Sequence, residues 1–458
     1  MKKLLAGLLI LALCVQGGVA LAGRVAAPNI RVERSPENEW GSAAWTLQSF
    51  GADALKDELT PSWQEQHPLE WYQQQAAHGD LAAQLLLARH YYEGNGVPMD
   101  DWMAATWFSR AAEQGSAEAQ FYLGMMYFYG NGIAENDAKA LEFFGMSAAQ
   151  AYAPALYWMG HMYLYGYGTR KDQQQAVAWY SKAAEAGDAQ AQFVLGDLYR
   201  LGQAIDEDNA MAAHWYELSA RQGDVDGERS IGTMYYSGRG VEQNYETAVQ
   251  WFRRAAAQGD TIAQYYLGIL YYYGYGVEQS YEAAAMWFEK AALQGDIDAQ
   301  FNIGLMYDYG LGVEEDDRKA LRWYQPSAGR GDRNAQLSLA LLYFRGDGTA
   351  QNNSLAAHWF RKAALQGDPD AQYSLGILYL FGDGIPQNDA LAVEWLSKAA
   401  DQGNASAQYS MGWMYEYGEA LDTDMEQALS WYRLAAAQGN ADAQERLDAL
   451  RTNTDRIE

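Results

Sequence analysis

A small residue recurs every 36 positions through most of this chain. Gly79, Gly115, Gly187, Gly223, Gly259, Gly295, Gly331, Gly367, Gly403 and Gly439 keep that spacing, and Ala151 fills the one vacant position. No insertion or deletion interrupts the register over 360 residues. Other positions move in step. Counting the anchor as slot 0, slot 12 is tyrosine in all ten repeats, from Tyr91 to Tyr415. Slot 9 is glycine except at Ala88 and Ala340, and slot 28 is tryptophan except at Phe143. The residue three before each anchor is always alanine. A strict period of this length means one small unit stacked against copies of itself, because such a unit cannot bury its apolar face alone.

The unit reads as two helices. Residues 260–273 place Leu267, Leu270 and Tyr271 at helical spacing, beside the small Ala263 and Gly268. Gly274 and Gly276 stop this helix A, since glycine reaches the left-handed backbone conformation a helix end requires. Residues 281–293 form helix B, with Ala284, Trp287, Phe288, Ala291 and Ala292 on one side, and Gly295 ends it. Glycine inside helix A costs about 1 kcal/mol relative to alanine. Its return at slot 9 predicts close helix approach, with Gly268 facing a bulky Trp or Tyr of a neighbour.

The expected fold is therefore all-α, a solenoid of about ten 36-residue helix-turn-helix repeats over residues 69–450. A lone helix B at 69–78 and a lone helix A at 440–450 frame it. Residues 43–68 read as a degenerate capping helix and linker, 23–42 as a flexible arm, and 451–458 as a polar tail.

The chain begins MKKLLAGLLILALCVQGGVALAG. Lys2 and Lys3, the apolar run Leu4 to Val15, and Ala20-Leu21-Ala22 have the order of a secretory leader cleaved after Ala22. The expected location is thus the periplasm or the exterior. A lipoprotein anchored through Cys14 fits poorly, because Leu13 stands where a small residue belongs. Cleavage would remove Cys14, the sole cysteine, and leave no disulfide, thiol nucleophile or cysteine metal site. It would also remove two of the 32 basic residues against 59 acidic ones, so the charge would move from −27 to −29. Such acidity repels nucleic acid and favours partners with cationic surfaces.

The repeated pattern A-x-x-G-x-x-x-A-Q-x-x-x-G-x-x-Y-x-x-G-x-G-V, followed by A-x-x-W-[YF]-x-x-A-A, resembles the Sel-one-like repeat (SLR) family across residues 69–450. That family is related to tetratricopeptide repeats. The resemblance implies a right-handed α-solenoid superhelix and adaptor work in assembling protein complexes, without intrinsic chemistry in most members. Exported bacterial members are implicated in envelope assembly, host contact and immunity to secreted toxins. Members linked to β-lactam binding carry paired cysteines in each repeat, which this chain lacks.

Single motifs lose meaning against the repeat. The Gly-x-Gly turns lack a following Gly-Lys-Ser/Thr and recur as backbone geometry, so they do not form a phosphate loop. Arg330-Gly331-Asp332 spells an adhesion tripeptide, yet Gly331 is an anchor and aspartate follows most anchors, where it would start a helix. Glu314 to Asp317 and Asp206 to Asp208 lack the spacing of a calcium loop and precede helix B. The six histidines have no metal-binding spacing, and His214 and His358 share one slot and read as packing residues. No catalytic constellation assembles, so neither an enzyme nor a cofactor is expected.

Function then rests on variable slots. Slots 7, 10 and 14 of helix A form one stripe by i, i+3, i+7 spacing. By analogy with tetratricopeptide stacks, that stripe is assigned to a concave groove. It reads Tyr122, Met125 and Tyr129 in repeat two, Trp158, His161 and Tyr165 in repeat three, and Tyr266, Ile269 and Tyr273 in repeat six. Repeat ten adds Trp413 and Tyr417, whereas repeat five reads Ser230, Thr233 and Ser237. Aromatic residues of this kind commonly anchor partners. The expected function is a non-enzymatic scaffold of the bacterial envelope that binds a protein or extended peptide. Immunity against a secreted toxin is the alternative, and stacked sugars of a polysaccharide would also suit aromatic rings.

Overall fold

The computed structural model describes residues 69–454. The expected leader, arm and capping segment lie outside the described residues. Those residues form 22 helices and no strand, joined by short turns. Two compact units divide them, 69–263 and 264–454, and the division falls within the helix Thr261–Tyr273. Inside each unit the main packing joins helices consecutive in the chain, as in an all-α solenoid. The lone helix B is Leu69–Ala77, and the last helix A is Ala441–Thr454, running past the expected end at 450.

Most helices are started by a side chain, the one beginning after Tyr152 being an exception, and most end on a glycine or glutamine, with Ala149, Ala186, Tyr309 and Arg330 as exceptions. Asp80, Asp188, Asp224, Asp296, Asp332 and Asp368 each accept a hydrogen bond from the backbone N–H three residues on. These are the aspartates that follow the anchors, and the acceptor satisfies an N–H the helix leaves open. Slot 21 does the same for helix B, through residues such as Asp208, Asn244, Ser280 and Asp316. The acidic runs at 206–208 and 314–317 are therefore helix starts.

Glycine at slot 9 meets a large side chain of its own repeat. A β-carbon built on Gly196, Gly268, Gly304 or Gly412 would come within 2.6–2.8 Å of the ring of Tyr216, Phe288, Tyr324 or Tyr432. The expected close approach is present, but the partner of Gly268 is Phe288 on helix B of the same repeat rather than a neighbour's Trp or Tyr. Slot 17 has another role. A β-carbon on Gly132, Gly168, Gly240 or Gly312 would collide with the backbone of the preceding repeat's helix B start, at Asp101, Asp137, Asn209 and Tyr281 respectively. The Gly-x-Gly turn is thus a backbone contact between repeats. Where alanine replaces glycine, the geometry holds: Ala151, Ala204 and Ala420 keep positive φ values of 58°, 62° and 61°.

A glutamine ladder crosses the repeats. The slot 35 amide of Gln402 donates to Gln372 Oε1 at 2.7 Å, and Gln372 Nε2 donates to the Ala364 carbonyl at 3.1 Å. Gln114 with Gln84, Gln222 with Gln192 and Gln438 with Gln408 repeat the first link. In repeat three both positions are apolar, Leu156 and Ala186. In repeat seven Arg330 takes slot 35 and donates instead to the Gly295 carbonyl at 2.7 Å, which gives the arginine of the Arg-Gly-Asp sequence a structural place.

Two stability measurements follow from these contacts. Gly268→Ala should gain about 1 kcal/mol of helix propensity but lose about 1–3 kcal/mol to overpacking against Phe288, so urea unfolding should show a net loss. Gln372→Leu or Gln402→Ala alone should each cost about 1–3 kcal/mol by stranding a buried partner. The double variant, which recreates the Leu156 and Ala186 pair of repeat three, should cost less than the sum in a double-mutant cycle.

Candidate binding surface

The three stripe slots do not share one exposed face. Tyr122, Met125, Trp158, Tyr266, Ile269 and Trp413 are buried, and so are Ser230 and Thr233. The reason is visible at slot 7. Tyr122 stacks on Phe108 at 4.8 Å and meets Tyr92 edge-on at 5.6 Å, so it wedges between helices B and A of the preceding repeat. Trp158 does the same, stacked on Phe144 at 5.4 Å with Phe128 at 5.2 Å. Helix A is covered by neighbouring helices along most of its length, and only its last turn emerges. Slot 14 lies on that turn. Tyr165 is 43% exposed and Tyr417 49%, while Tyr129, Tyr273 and the slot 10 residue His161 are half-buried.

In unit 69–263 the emerging rings form a cluster. His161 lies 4.6 Å from Tyr165 and 6.0 Å from Tyr167, with Trp158 at 5.1 Å. Tyr165 and Tyr167 are 5.8 Å apart, and Phe128 lies 5.2 Å from Tyr167. Burial pushes His161 down to about 4, so its ring is neutral at physiological pH. In unit 264–454 the corresponding pair is Tyr273 and Tyr275, stacked at 5.3 Å, with Tyr272 against Tyr281 at 5.1 Å. Trp413 and Tyr417 make a smaller pair at 5.7 Å.

Polar groups fill other slots. In repeat four the Tyr216 hydroxyl donates to Asp197 at 2.6 Å and accepts from Arg200 Nε at 3.1 Å. In repeat five Arg229 joins Asp226 and Asp260, at 2.5 and 2.8 Å. His214 and His358 are exposed and lie edge-on to Trp215 and Trp359, so they are surface residues rather than packing residues. Among the described residues no group of His, Cys, Asp and Glu could hold a metal, and no helix is long and apolar enough to cross a membrane.

The Sel1 repeat model matches ten consecutive segments, from 81–116 to 405–440. This chain belongs to the Sel1 repeat family. A solved relative is c5321, a protective antigen present in uropathogenic Escherichia coli strains that displays an SLR fold. It is 33% identical over 84% of this chain and 91% of its own, with a TM-score of 0.68. A Sel1 repeat protein from Oxalobacter formigenes is 31% identical over 69% of this chain and 94% of its own, with a TM-score of 0.49. Helicobacter pylori cysteine rich protein B is 28% identical over 28% of this chain and 93% of its own, with a TM-score of 0.23. No curated protein sequence matches the chain. Sel1 repeat proteins are generally scaffolds for protein interaction.

Against the Sel1 frame, the residues that the stripe omitted are Tyr167 and Tyr275. They sit inside Gly-x-Gly turns, which their glycines alone suffice to explain. The signal was present: only these two turns among the ten read Gly-Tyr-Gly. A second overlooked signal is structural. Where slot 29 is tyrosine, a charged residue at slot 13 can receive its hydroxyl, as Asp308 does for Tyr324 at 3.0 Å and Glu416 for Tyr432 at 2.8 Å.

The buried acids give a pH dependence. Burial raises Asp188, Asp224 and Asp308 to about 6 each, above the usual 3.8. The folded state therefore binds their protons more tightly than the unfolded chain does, and these groups subtract stability above pH 6. That penalty fades as pH falls from about 7 towards 4. Glu416 is lowered despite its burial, through hydrogen bonds from Arg446 and Tyr432, and acts in the opposite sense. Asp308→Asn keeps an acceptor for Tyr324. It should be neutral to stabilising at pH 7 and should flatten the slope of unfolding free energy between pH 7 and 5, as measured by urea titration.

Proposed function

We propose that this chain is a non-enzymatic binding scaffold of the bacterial cell envelope. It holds a protein or an extended peptide segment at the emerging ends of helix A. The observation that carries this reading is the ring cluster of Tyr129, His161, Tyr165 and Tyr167, which the fold leaves partly open to solvent. Tyrosine rings with a polar edge supply contact area at low entropic cost, and they concentrate at protein interfaces. The excess of 59 acidic over 32 basic residues favours a cationic partner. The proposed location is the periplasm or the exterior, reached through the leader expected at 1–22. The relative from Escherichia coli is a protective antigen, which supports a place beyond the cytoplasm.

Capture from an envelope extract tests this reading. The protein is purified from cells expressing the whole sequence, and its N-terminus is read by mass spectrometry. A start at Gly23 is expected. The wild type should retain one dominant protein that a Tyr165→Ala, Tyr167→Ala, Tyr273→Ala variant of unchanged helicity loses at least tenfold. A captured secreted toxin would make the scaffold an immunity protein. Equal retention by both chains, or substrate turnover by the purified chain, would contradict the proposal.

A further inference from the structure

We infer that the Tyr165–Tyr167 pair is a platform for the guanidinium of an arginine carried by the bound partner. The inference rests on the scaffold reading above and assigns the chemistry of one of its contacts.

The pair is not needed by the turn that carries it. Gly166, with φ +81°, reverses the backbone and brings the slot 16 ring beside the slot 14 ring. Other repeats make the same turn with Asn95, Asn131, Asp347 or Asp383 at slot 16. The two rings are 43% and 37% exposed, so they present open faces instead of filling a core. The face of a tyrosine ring is electronegative and attracts a cation.

Elsewhere this chain supplies such cations itself. Lys182, Lys290, Lys362 and Lys398 lie 4.2–4.6 Å above Trp179, Trp287, Trp359 and Trp395. More telling is repeat ten, where the slot 14 ring of Tyr417 carries the Arg446 guanidinium at 5.5 Å while Glu416 pairs with that same group. The slot 14 ring is thus seen to accept a guanidinium beside a carboxylate.

Repeat three differs in its parts: Val194 stands at the position of Arg446 and Leu164 at that of Glu416, so no internal guanidinium among the described residues reaches the Tyr165 ring and the nearest acid comes from another element. Gly168 lies against the backbone of Asp137, so the helix start that carries this acid adjoins the turn holding Tyr167. Among the described residues no basic side chain forms an ion pair with Asp137 or lies over either ring. The turn's own basic residues, Arg170 and Lys171, line a separate concavity with Tyr163, Asp172 and Gln173. His161 beneath the rings is held neutral by burial and does not repel an incoming cation. Arginine suits the site better than lysine, because a planar and weakly hydrated guanidinium stacks on a ring while an ammonium holds its water.

The test uses acetyl-Gly-Arg-Gly-Arg-Gly-amide, its lysine counterpart and a neutral β-linked glucose tetrasaccharide, each titrated into the purified protein. Proton NMR of the probe is the readout. The arginine δ-protons should move upfield, with binding at least threefold tighter than for the lysine peptide. Tyr165→Leu with Tyr167→Leu should abolish both the shift and the preference, whereas Tyr165→Phe with Tyr167→Phe should retain them. Circular dichroism checks that both variants are folded. Equal binding of the two peptides, or an arginine shift that survives in the leucine variant, overturns the inference. So does a ring-dependent shift of the tetrasaccharide in place of the peptide. If the natural partner is captured equally by wild type and leucine variant, the platform fails and the scaffold reading stands. If no partner is captured while the arginine peptide still binds as described, the scaffold reading fails and the platform stands.

Discussion

The contact between the slot 9 glycine and the large slot 29 side chain sets the geometry of everything else. A ring such as Phe288 or Tyr324 lies where a β-carbon would be, so glycine lets helices A and B of one repeat close onto that ring, with alanine in its place only at Ala88 and Ala340. Burying an aromatic ring in that gap returns more than the propensity lost by placing glycine in a helix. Once each pair is closed, the slot 17 glycine rests on the backbone of the previous pair and the glutamine ladder ties pair to pair. The register can then tolerate no insertion, which is why 36 residues recur without a slip.

This packing also decides which residues can meet a partner. A helix flanked by helices on several sides exposes only its end. Slot 7 residues such as Tyr122 and Trp158 are consumed between repeats, and the last turn of helix A, with the turn beyond it, remains. The binding surface proposed for this Sel1 repeat chain therefore lies at slots 14 and 16. Their variation from Tyr165 and Tyr167 to Leu201 and Gln203 or Ser237 and Arg239 changes the surface without touching the fold.

The fold was legible because the repeat states each rule ten times. The boundaries of helix B at 281 and 293, the capping aspartates and the close approach at Gly268 could all be read from residues alone. The site was less legible. Helical spacing places slots 7, 10 and 14 on one stripe, but spacing cannot tell which part of a stripe a neighbouring repeat covers. Tyr266 and Ile269 read as recognition residues and are core, because identical periodicity serves packing and display. Tyr167 and Tyr275 escaped notice for the opposite reason, since they lie within turns explained by their glycines. Arg330 had no account until its carbonyl partner, Gly295, was placed 35 residues away in sequence.

The central claim is that packing reserves the ends of helix A for recognition. Hydrogen–deuterium exchange of the chain with and without its captured partner tests it most directly. The account predicts added protection confined to the slot 12–17 segments, above all 163–168 and 271–276, with the interiors of helix B unchanged. Protection spread over the tryptophan face of helix B, or confined to the turns between repeats at the anchor glycines, would contradict it.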